Sequence, residues 1–206
     1  MAKNADSKEK TVAAAAKLFA QRGYHGTALQ DILEASGAPR GSLYFHFPKG
    51  KEEIGEAAMA RGAITVRRFI AQIAEISDSS ETFLVQLVRG MSDQLVQSDY
   101  REGCPLATTA LETASQSATL AIAARKAFRS WEEEIGRGLQ RFGMQAEEAE
   151  RAATSVLCQL EGALLLARTY RNLEPMRRAE TAVLLFLGNM VPNHEDGRSP
   201  RRTRKR

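Results

Sequence analysis

Apolar residues recur along most of the chain at intervals of three and four positions, the spacing of one face of an α-helix. Val12, Ala15 and Phe19 begin this pattern, and no stretch shows the sustained alternation of a half-buried strand. The pattern therefore predicts an all-α protein of about nine helices. Their predicted extents are residues 7–22, 27–36, 40–47, 51 to at least 73, 80–98, 105–115, 118–142, 146–171 and 176–191.

Short polar signals mark the ends of the first two predicted helices. An Asp6-x-x-Glu9 capping signal opens the first helix, and Gly23 ends it. The stretch from Thr27 to Gln30 matches a capping box, in which a hydroxyl accepts from the third backbone N–H group and the glutamine reaches back. We therefore expect Thr27 to cap the second helix.

The segment after the second helix is typical of a helix-turn-helix unit. The turn Gly37-Ala38-Pro39 separates that helix from a short third one over Arg40–Phe47, which Pro48 and Gly50 keep from continuing. Two short helices joined by a glycine-containing turn form a unit whose second helix fits a DNA major groove. The pattern thus predicts a DNA-binding domain in this part of the chain.

The third predicted helix carries side chains suited to nucleic acid. Leu43 and Phe47 are four residues apart and can pack inward, which leaves the polar residues free. Arginine can bond guanine O6 and N7 together, serine can bond a base edge, and tyrosine, histidine and lysine can bond phosphates. The candidate contacts are Arg40, Ser42, Tyr44, His46 and Lys51, with Gly41 allowing the backbone to approach the groove closely.

Residues 27–51 resemble the DNA-binding motif of the tetracycline-repressor (TetR/AcrR) family. The positions that carry the resemblance are Phe19, Gly23, Thr27, Ile32, Gly37, Gly41, Leu43, Tyr44, His46, Phe47 and Lys51. The resemblance implies a homodimeric, ligand-released transcriptional repressor with a three-helix DNA-binding domain and a larger helical effector domain, usually with nine helices in all.

The resemblance also implies roles for single residues. Thr27 matches a phosphate contact, Arg40 and Ser42 match base-reading positions, and the matched phosphate clamps are Tyr44, His46 and Lys51. Pro39 stands where the family usually has a serine or threonine cap, so we leave it out of the contact set. Later in the chain, residues 103–106 and 161–168 resemble the branch of these repressors that regulates drug efflux and flavonoid responses.

Charge divides the chain into three parts. Residues 1–51 carry a net charge of +4, residues 52–197 a net charge of −6, and residues 198–206 six basic and no acidic side chains. We therefore predict a DNA-binding domain over residues 1–51, a ligand-binding and dimerisation domain over residues 52–195 and a disordered basic tail over residues 196–206. The tail either adds phosphate affinity or is merely solvated, and both interpretations stay open.

A small hydrophobic or aromatic effector is expected within the bundle formed by the fourth to the eighth helix. Apolar side chains at core spacing would form its wall, and Gln159 with Glu161 would supply polar groups. Glu161 interrupts an apolar helix, so it is a ligand-binding carboxylate, a hydrogen-bonded group at a dimer seam or a residue on a wet face. The predicted apolar wall consists of Phe69, Ile73, Leu87, Met91, Leu111, Phe128, Trp131 and Leu164.

The last two predicted helices are the expected homodimer interface. Gly162 and Ala163 would permit close approach of two protomers. The residues expected to supply apolar area are Val183, Phe186, Leu187 and Met190.

The two cysteines favour a reducing compartment. Cys104 and Cys158 do not make a disulfide framework, and without a signal-like opening stretch we expect a cytoplasmic protein. Cys104, near the start of a predicted helix, is structural or, as a minority alternative, a redox-sensing thiolate. No apolar run approaches the roughly 18 residues of a membrane helix, so no membrane partner is expected.

Catalytic motifs do not emerge from the sequence. The Gly136-x-Gly138 pair has Arg141 where a third glycine would stand, and no predicted strand precedes it. We therefore expect neither an enzyme nor a cofactor, but a ligand-responsive repressor that binds double-stranded operator DNA. The alternatives are a ligand-independent DNA-binding protein with a purely dimerising body, and a helical module whose basic face binds an acidic protein or a membrane surface.

Overall fold

The computed structural model describes residues 2–190, and residues 6–188 at the level of side-chain environment. All regular elements in this part of the chain are helices, which confirms the predicted all-α fold with nine helices. The helices are α1 (Ala2–Arg22), α2 (Leu29–Ser36), α3 (Arg40–His46), α4 (Lys51–Ile76), α5 (Ser80–Gln97), α6 (Ala107–Thr113), α7 (Ala118–Arg141), α8 (Ala146–Tyr170) and α9 (Glu174–Met190). The predicted basic tail lies outside the described residues.

The first helix begins earlier than its capping signal predicts. α1 starts at Ala2, so Asp6 lies inside the helix and pairs with Lys10 one turn later, at 2.6 Å between carboxylate and ammonium. The prediction of a helix start at this signal is therefore wrong, because an i, i+4 ion pair takes up the aspartate. The predicted end is confirmed, since Gly23 follows Arg22 with a φ of +79°.

The second helix is capped by a different residue from the one predicted. Asp31 accepts a hydrogen bond from the Ala28 N–H group at 2.7 Å, and Ala28 is the cap residue. Thr27 is fully buried, and its hydroxyl donates to the Gly23 carbonyl oxygen at 2.9 Å. The predicted capping box from Thr27 to Gln30 is thus wrong, because the threonine hydroxyl closes the preceding turn.

Two hydrophobic clusters divide the described chain. The first, which we call the head, joins α1, α2, α3 and the first two turns of α4. Its buried members are Val12, Ala15, Leu18, Phe19, Ile32, Leu43, Phe47, Ile54 and Ala58. Because Ile54 and Ala58 belong to this cluster, the packing of the head reaches beyond the predicted boundary at residue 51.

The second cluster, which we call the body, comprises the rest of α4 together with α5 to α9. Trp131 of α7 is buried at its centre, and its indole N–H donates to the Ala63 carbonyl oxygen of α4 at 3.0 Å. This bond ties α7 to the one helix that also belongs to the head. None of the described helices combines the length and the apolar character needed to cross a bilayer.

Polar contacts join head and body beside the continuous helix α4. The connection between α5 and α6, residues 98–106, lies against the end of α1, where Gln21 donates to the Glu102 carboxylate at 2.8 Å. Arg168 of α8 donates from one nitrogen to the carbonyl oxygens of Gln21 and Arg101, both at 2.9 Å. The body therefore holds the end of α1 at defined backbone atoms.

Candidate nucleic-acid interface and effector cavities

Helix α3 is anchored by its apolar side and exposed on the other. Leu43 and Phe47 are buried in the head, as their spacing predicts. Arg40 and Gly41 are exposed at the start of the helix, and Tyr44 keeps 52% of its surface exposed. Three of the predicted DNA contacts thus share one accessible surface at the edge of the head.

Two further predicted contacts, Ser42 and His46, are less accessible than those three. Ser42 is half-buried, and its hydroxyl is hydrogen-bonded to the Ser7 hydroxyl of α1 at 2.8 Å. His46 is also half-buried, and its buried Nε2 atom has no hydrogen-bond partner among the described residues. A contact with DNA through these two side chains requires Ser42 to leave Ser7 and His46 to rotate outward.

Lys51 lies at the start of α4 and stacks on an aromatic ring. Its ammonium nitrogen is 4.3 Å from the centre of the Tyr24 ring. Partial burial lowers the pKa of Lys51, and the nearby Glu112 and Asp31 carboxylates oppose that shift. A phosphate would therefore compete with a cation–π contact for this ammonium group.

The structure makes one predicted contact inaccessible and exposes one further candidate. Thr27 does not offer its hydroxyl to a phosphate in this structure, because it is buried and bonded to Gly23. Phe45, which the sequence argument passed over, is 73% exposed beside Tyr44. Its position, two residues from both Leu43 and Phe47, was the signal that it faces away from the head, and apolar side chains can contact thymine methyl groups.

A cavity of about 520 Å³ lies between α4, α5, α7, α8, the connection 98–106 and the last turns of α1. Its volume is within the range of small-molecule sites, roughly 300–1,000 Å³. Six of the ten predicted effector contacts line it: Phe69, Leu87, Met91, Trp131, Glu161 and Leu164. These side chains come from four helices, so only the folded body brings them together.

A second cavity, of about 620 Å³, lies beside the first, between α6, α7 and α8. Phe128 lines this cavity and not the first, and Leu111 stands at its rim with 81% of its surface exposed. Four residues line both cavities: Gly103, Cys104, Glu161 and Leu164.

Two of the predicted effector contacts, Ile73 and Gln159, line neither cavity. Ile73 packs against the body cluster and lines neither cavity. Gln159 is exposed, because two residues correspond to about 200° of rotation around a helix and place it opposite Glu161. Leu111 does line the second cavity, although most of its side chain is exposed there.

Glu161 and Cys104 form the polar part of the wall shared by the two cavities. Burial raises the pKa of the Glu161 carboxyl, and the adjacent Cys104 thiol partly offsets this rise. Burial and the Glu161 charge raise the pKa of the Cys104 thiol well above its usual range. The Leu106 and Ala107 N–H groups at the start of α6 donate to its sulfur and partly oppose this rise. The raised pKa favours the structural interpretation of Cys104 over the redox-sensing thiolate.

The apolar surface of α8 and α9 differs from the predicted one. Ala163, Val183 and Leu187 are buried within the protomer, so they do not offer contact area to a partner. Phe186 is half-buried against the body cluster, and the side chain of Met190 lies outside the described ones. The exposed apolar residues of these helices are Leu165, Leu166, Tyr170 and Leu185, and open space surrounds Gly162.

Two short helices joined by a glycine-containing turn, the second of them exposed on one side, define the class of helix-turn-helix DNA-binding proteins. The family described as bacterial regulatory proteins, tetR family, matches residues 12–64. The C-terminal domain of LmrA/YxaF-like transcriptional regulators matches residues 80–182. The chain belongs to the TetR family of bacterial transcriptional regulators, which confirms the resemblance seen in its sequence.

Similar proteins support this assignment over most of the chain. The HTH-type transcriptional regulator LmrA of Bacillus subtilis is 33% identical over 178 residues, which are 86% of this chain and 95% of LmrA. The HTH-type transcriptional repressor DhaR of Mycobacterium sp. is 26% identical over 176 residues, 81% of this chain and 85% of DhaR. A solved TetR regulator from Legionella pneumophila has the same fold, with a TM-score of 0.77 and 23% identity over 87% of this chain and 96% of its own.

Proposed function

We propose that this regulator is a homodimeric repressor that binds a palindromic operator and is released by a small hydrophobic or aromatic molecule. The observation that carries the proposal is the cavity of about 520 Å³, walled by four helices of the body and by the connection that bonds to the head. A ligand in this cavity would contact the same segment that holds the end of α1.

DNA recognition in this proposal uses α3 of each protomer. Half-sites of a palindrome are about 34–36 Å apart along one face of the duplex, so two α3 helices must keep a fixed separation. Arg40 reads bases, and Tyr44 with Lys51 contacts phosphates. A displacement of the heads by a few ångströms prevents both helices from docking at once, and the operator is released.

The homodimer in this proposal forms through α8 and α9. Leu165, Leu166 and Leu185 are large apolar side chains left exposed on these two helices. Gly162 has open space around it and allows the helices of two protomers to approach closely. The residues that would bury apolar area thus differ from those that the sequence pattern favours.

The proposal is tested by selecting bound sequences from random DNA and screening aromatic compounds for release of the selected operator. Trp131 is the single tryptophan and lines the cavity, so a bound compound changes its emission. Trp131→Phe removes that signal and retains operator binding. Because the coupling between two ligands is reciprocal, operator DNA must weaken compound binding by the same factor.

Two other results would contradict the proposal. Operator binding that no compound of the screen changes, at saturating concentration and with Trp131 emission constant, favours the ligand-independent regulator. Binding of duplex DNA no better than another polyanion favours the helical module that binds an acidic partner or a membrane surface.

A further inference from the structure

The Glu161 carboxyl is a largely buried acid in a mainly apolar wall, with the Cys104 thiol as its polar neighbour. Its Oε1 atom has no hydrogen-bond partner among the described residues, and Glu161 takes part in none of their ion pairs. Leucine, methionine and aromatic side chains make up much of the apolar lining of the two cavities that Glu161 shares. A buried carboxylate in such surroundings loses much of its hydration, which is costly unless a cation or several donors replace the lost water.

Other charged side chains around the cavities do not supply that cation. Arg61 forms an ion pair with Glu9, and Arg168 donates to the carbonyl oxygens of Gln21 and Arg101. Lys17 is exposed on α1 at the far edge of the first cavity. Arg168 lines the second cavity but forms no ion pair with Glu161, so none of the described cations is bonded to this carboxyl. A proton, or a cation from outside the described residues, can therefore neutralise it.

We propose that Glu161 binds the ammonium group of an amine-bearing aromatic effector whose apolar body fills the first cavity. This inference rests on the proposed function and names the chemical class of its effector. A neutral hydroxyl would satisfy one oxygen lone pair, whereas an ammonium group satisfies the charge as well. Burial already raises the pKa of this carboxyl, so an ammonium group replaces a proton as the neutralising partner.

Three probes with one aromatic body separate charge from shape. They are 1-pyrenemethylamine, 1-pyrenemethanol and 1-pyrenecarboxylate, which are cationic, neutral and anionic at neutral pH. Binding of each to the full chain is measured by pyrene fluorescence anisotropy and checked by calorimetry. We expect the amine to bind about tenfold or more tightly than the alcohol, the ratio typical of a charge-assisted hydrogen bond, and the carboxylate to bind most weakly.

Two variants locate the origin of that preference. Glu161→Gln keeps the shape of the side chain and removes its charge, so the amine should lose its advantage while the alcohol binds as before. Glu150→Gln removes the same charge from an exposed position of the same helix and should retain the full preference for the amine. Thermal unfolding shows whether each variant is folded. If a variant is not folded, the comparison of the three probes on the unaltered chain still tests the inference.

Three results would overturn the inference. They are equal binding of amine and alcohol to the unaltered chain, a preference for the amine that survives in Glu161→Gln, and absence of binding by all three probes. If pyrenemethanol releases the operator as well as the amine does, the proposed function stands and only the cationic class is wrong. Failure of the proposed function is a separate result, in which probes bind without releasing DNA.

Discussion

The head and the body of this protein use their cores differently. The head buries nine apolar residues in one cluster and carries its candidate contacts on the outside, on α3. The body has the larger cluster, yet it keeps two cavities and the buried carboxyl of Glu161 at its centre. A small domain buries too little apolar surface to tolerate cavities, whereas a larger domain stays folded with an unfilled binding site.

The two regions therefore differ in how rigid their packing needs to be. DNA has a fixed groove geometry, so the head benefits from a rigid core that sets the orientation of α3. Under the proposed function an effector enters a cavity of the body, so the body would have to tolerate a change of packing when that cavity is filled. The end of α1, which the contacts of Gln21 and Arg168 hold, connects the rigid head to the more adaptable body.

The largest expected effect comes from truncating an aromatic side chain in each core. Phe47→Ala should lower the free energy of unfolding by about 3–5 kcal/mol, because it empties a site in the closed head. Phe69→Ala should cost clearly less, since Phe69 is half-buried and already borders a cavity. Chemical denaturation of both variants measures the difference, and equal losses would show that the two cores are not packed differently.

Breaking the link between the regions should have the next largest effect. Arg168→Gln removes the charged donor to the Gln21 and Arg101 carbonyl oxygens. Effector and operator should each still bind, while the factor by which one weakens the other, typically 5–150-fold, falls towards one. Arg151→Gln, an exposed position of the same helix, is the matched control, and an unchanged coupling factor in Arg168→Gln would exclude this route.

The exposed face of the head should separate base reading from phosphate binding. Arg40→Ala is expected to cost about 1–3 kcal/mol of operator affinity and to relax the preference at one base pair per half-site. Lys51→Ala should weaken binding to all sequences alike. The loss should be smaller than for a lysine without other contacts, because the Tyr24 ring already binds the ammonium group. Selection profiles of both variants test this, and a uniform loss in Arg40→Ala would remove it from the base-reading set.

The smallest expected effect concerns the contact between Ser7 and Ser42. Ser7→Ala frees the Ser42 hydroxyl, so operator affinity should rise by about 1 kcal/mol or less, the net value of one hydrogen bond. Ser42→Ala is the paired variant and should lower affinity. A loss of affinity in Ser7→Ala, measured by titration of the operator, would mean that Ser7 serves to orient α3.

Local sequence signals predicted most of the fold. Helix ends follow from nearby residues, as at Gly23, Gly37 and Pro48, and the predicted and observed limits of α5, α7 and α8 differ by one residue at most. The start of the first helix was not predicted correctly, because Asp6 can form an i, i+4 ion pair inside a helix as well as cap its start. A polar residue that can act at a helix start or inside one does not by itself locate the start.

The sites were predicted less completely, because they depend on how helices rotate against each other. Apolar spacing marks Val183 as buried but does not tell whether its own protomer or a partner covers it, and the structure shows that its own body does. The same limit applies to Ile73, which packs beside the cavity rather than on its wall. Polar atoms are equally ambiguous, since the Thr27 hydroxyl serves an internal turn and not the surface.

The two hydrogen bonds of Arg168 place little constraint on the amino acids at their acceptor positions. Its acceptors are main-chain carbonyl oxygens of residues 21 and 101, and every amino acid supplies a carbonyl oxygen. Side chains at those two positions, and those lining the cavities, are therefore free to vary without removing the acceptors. Under the proposed function, a biosensor would be built on this arrangement by exchanging the other cavity residues, with Arg168 and the head left unchanged.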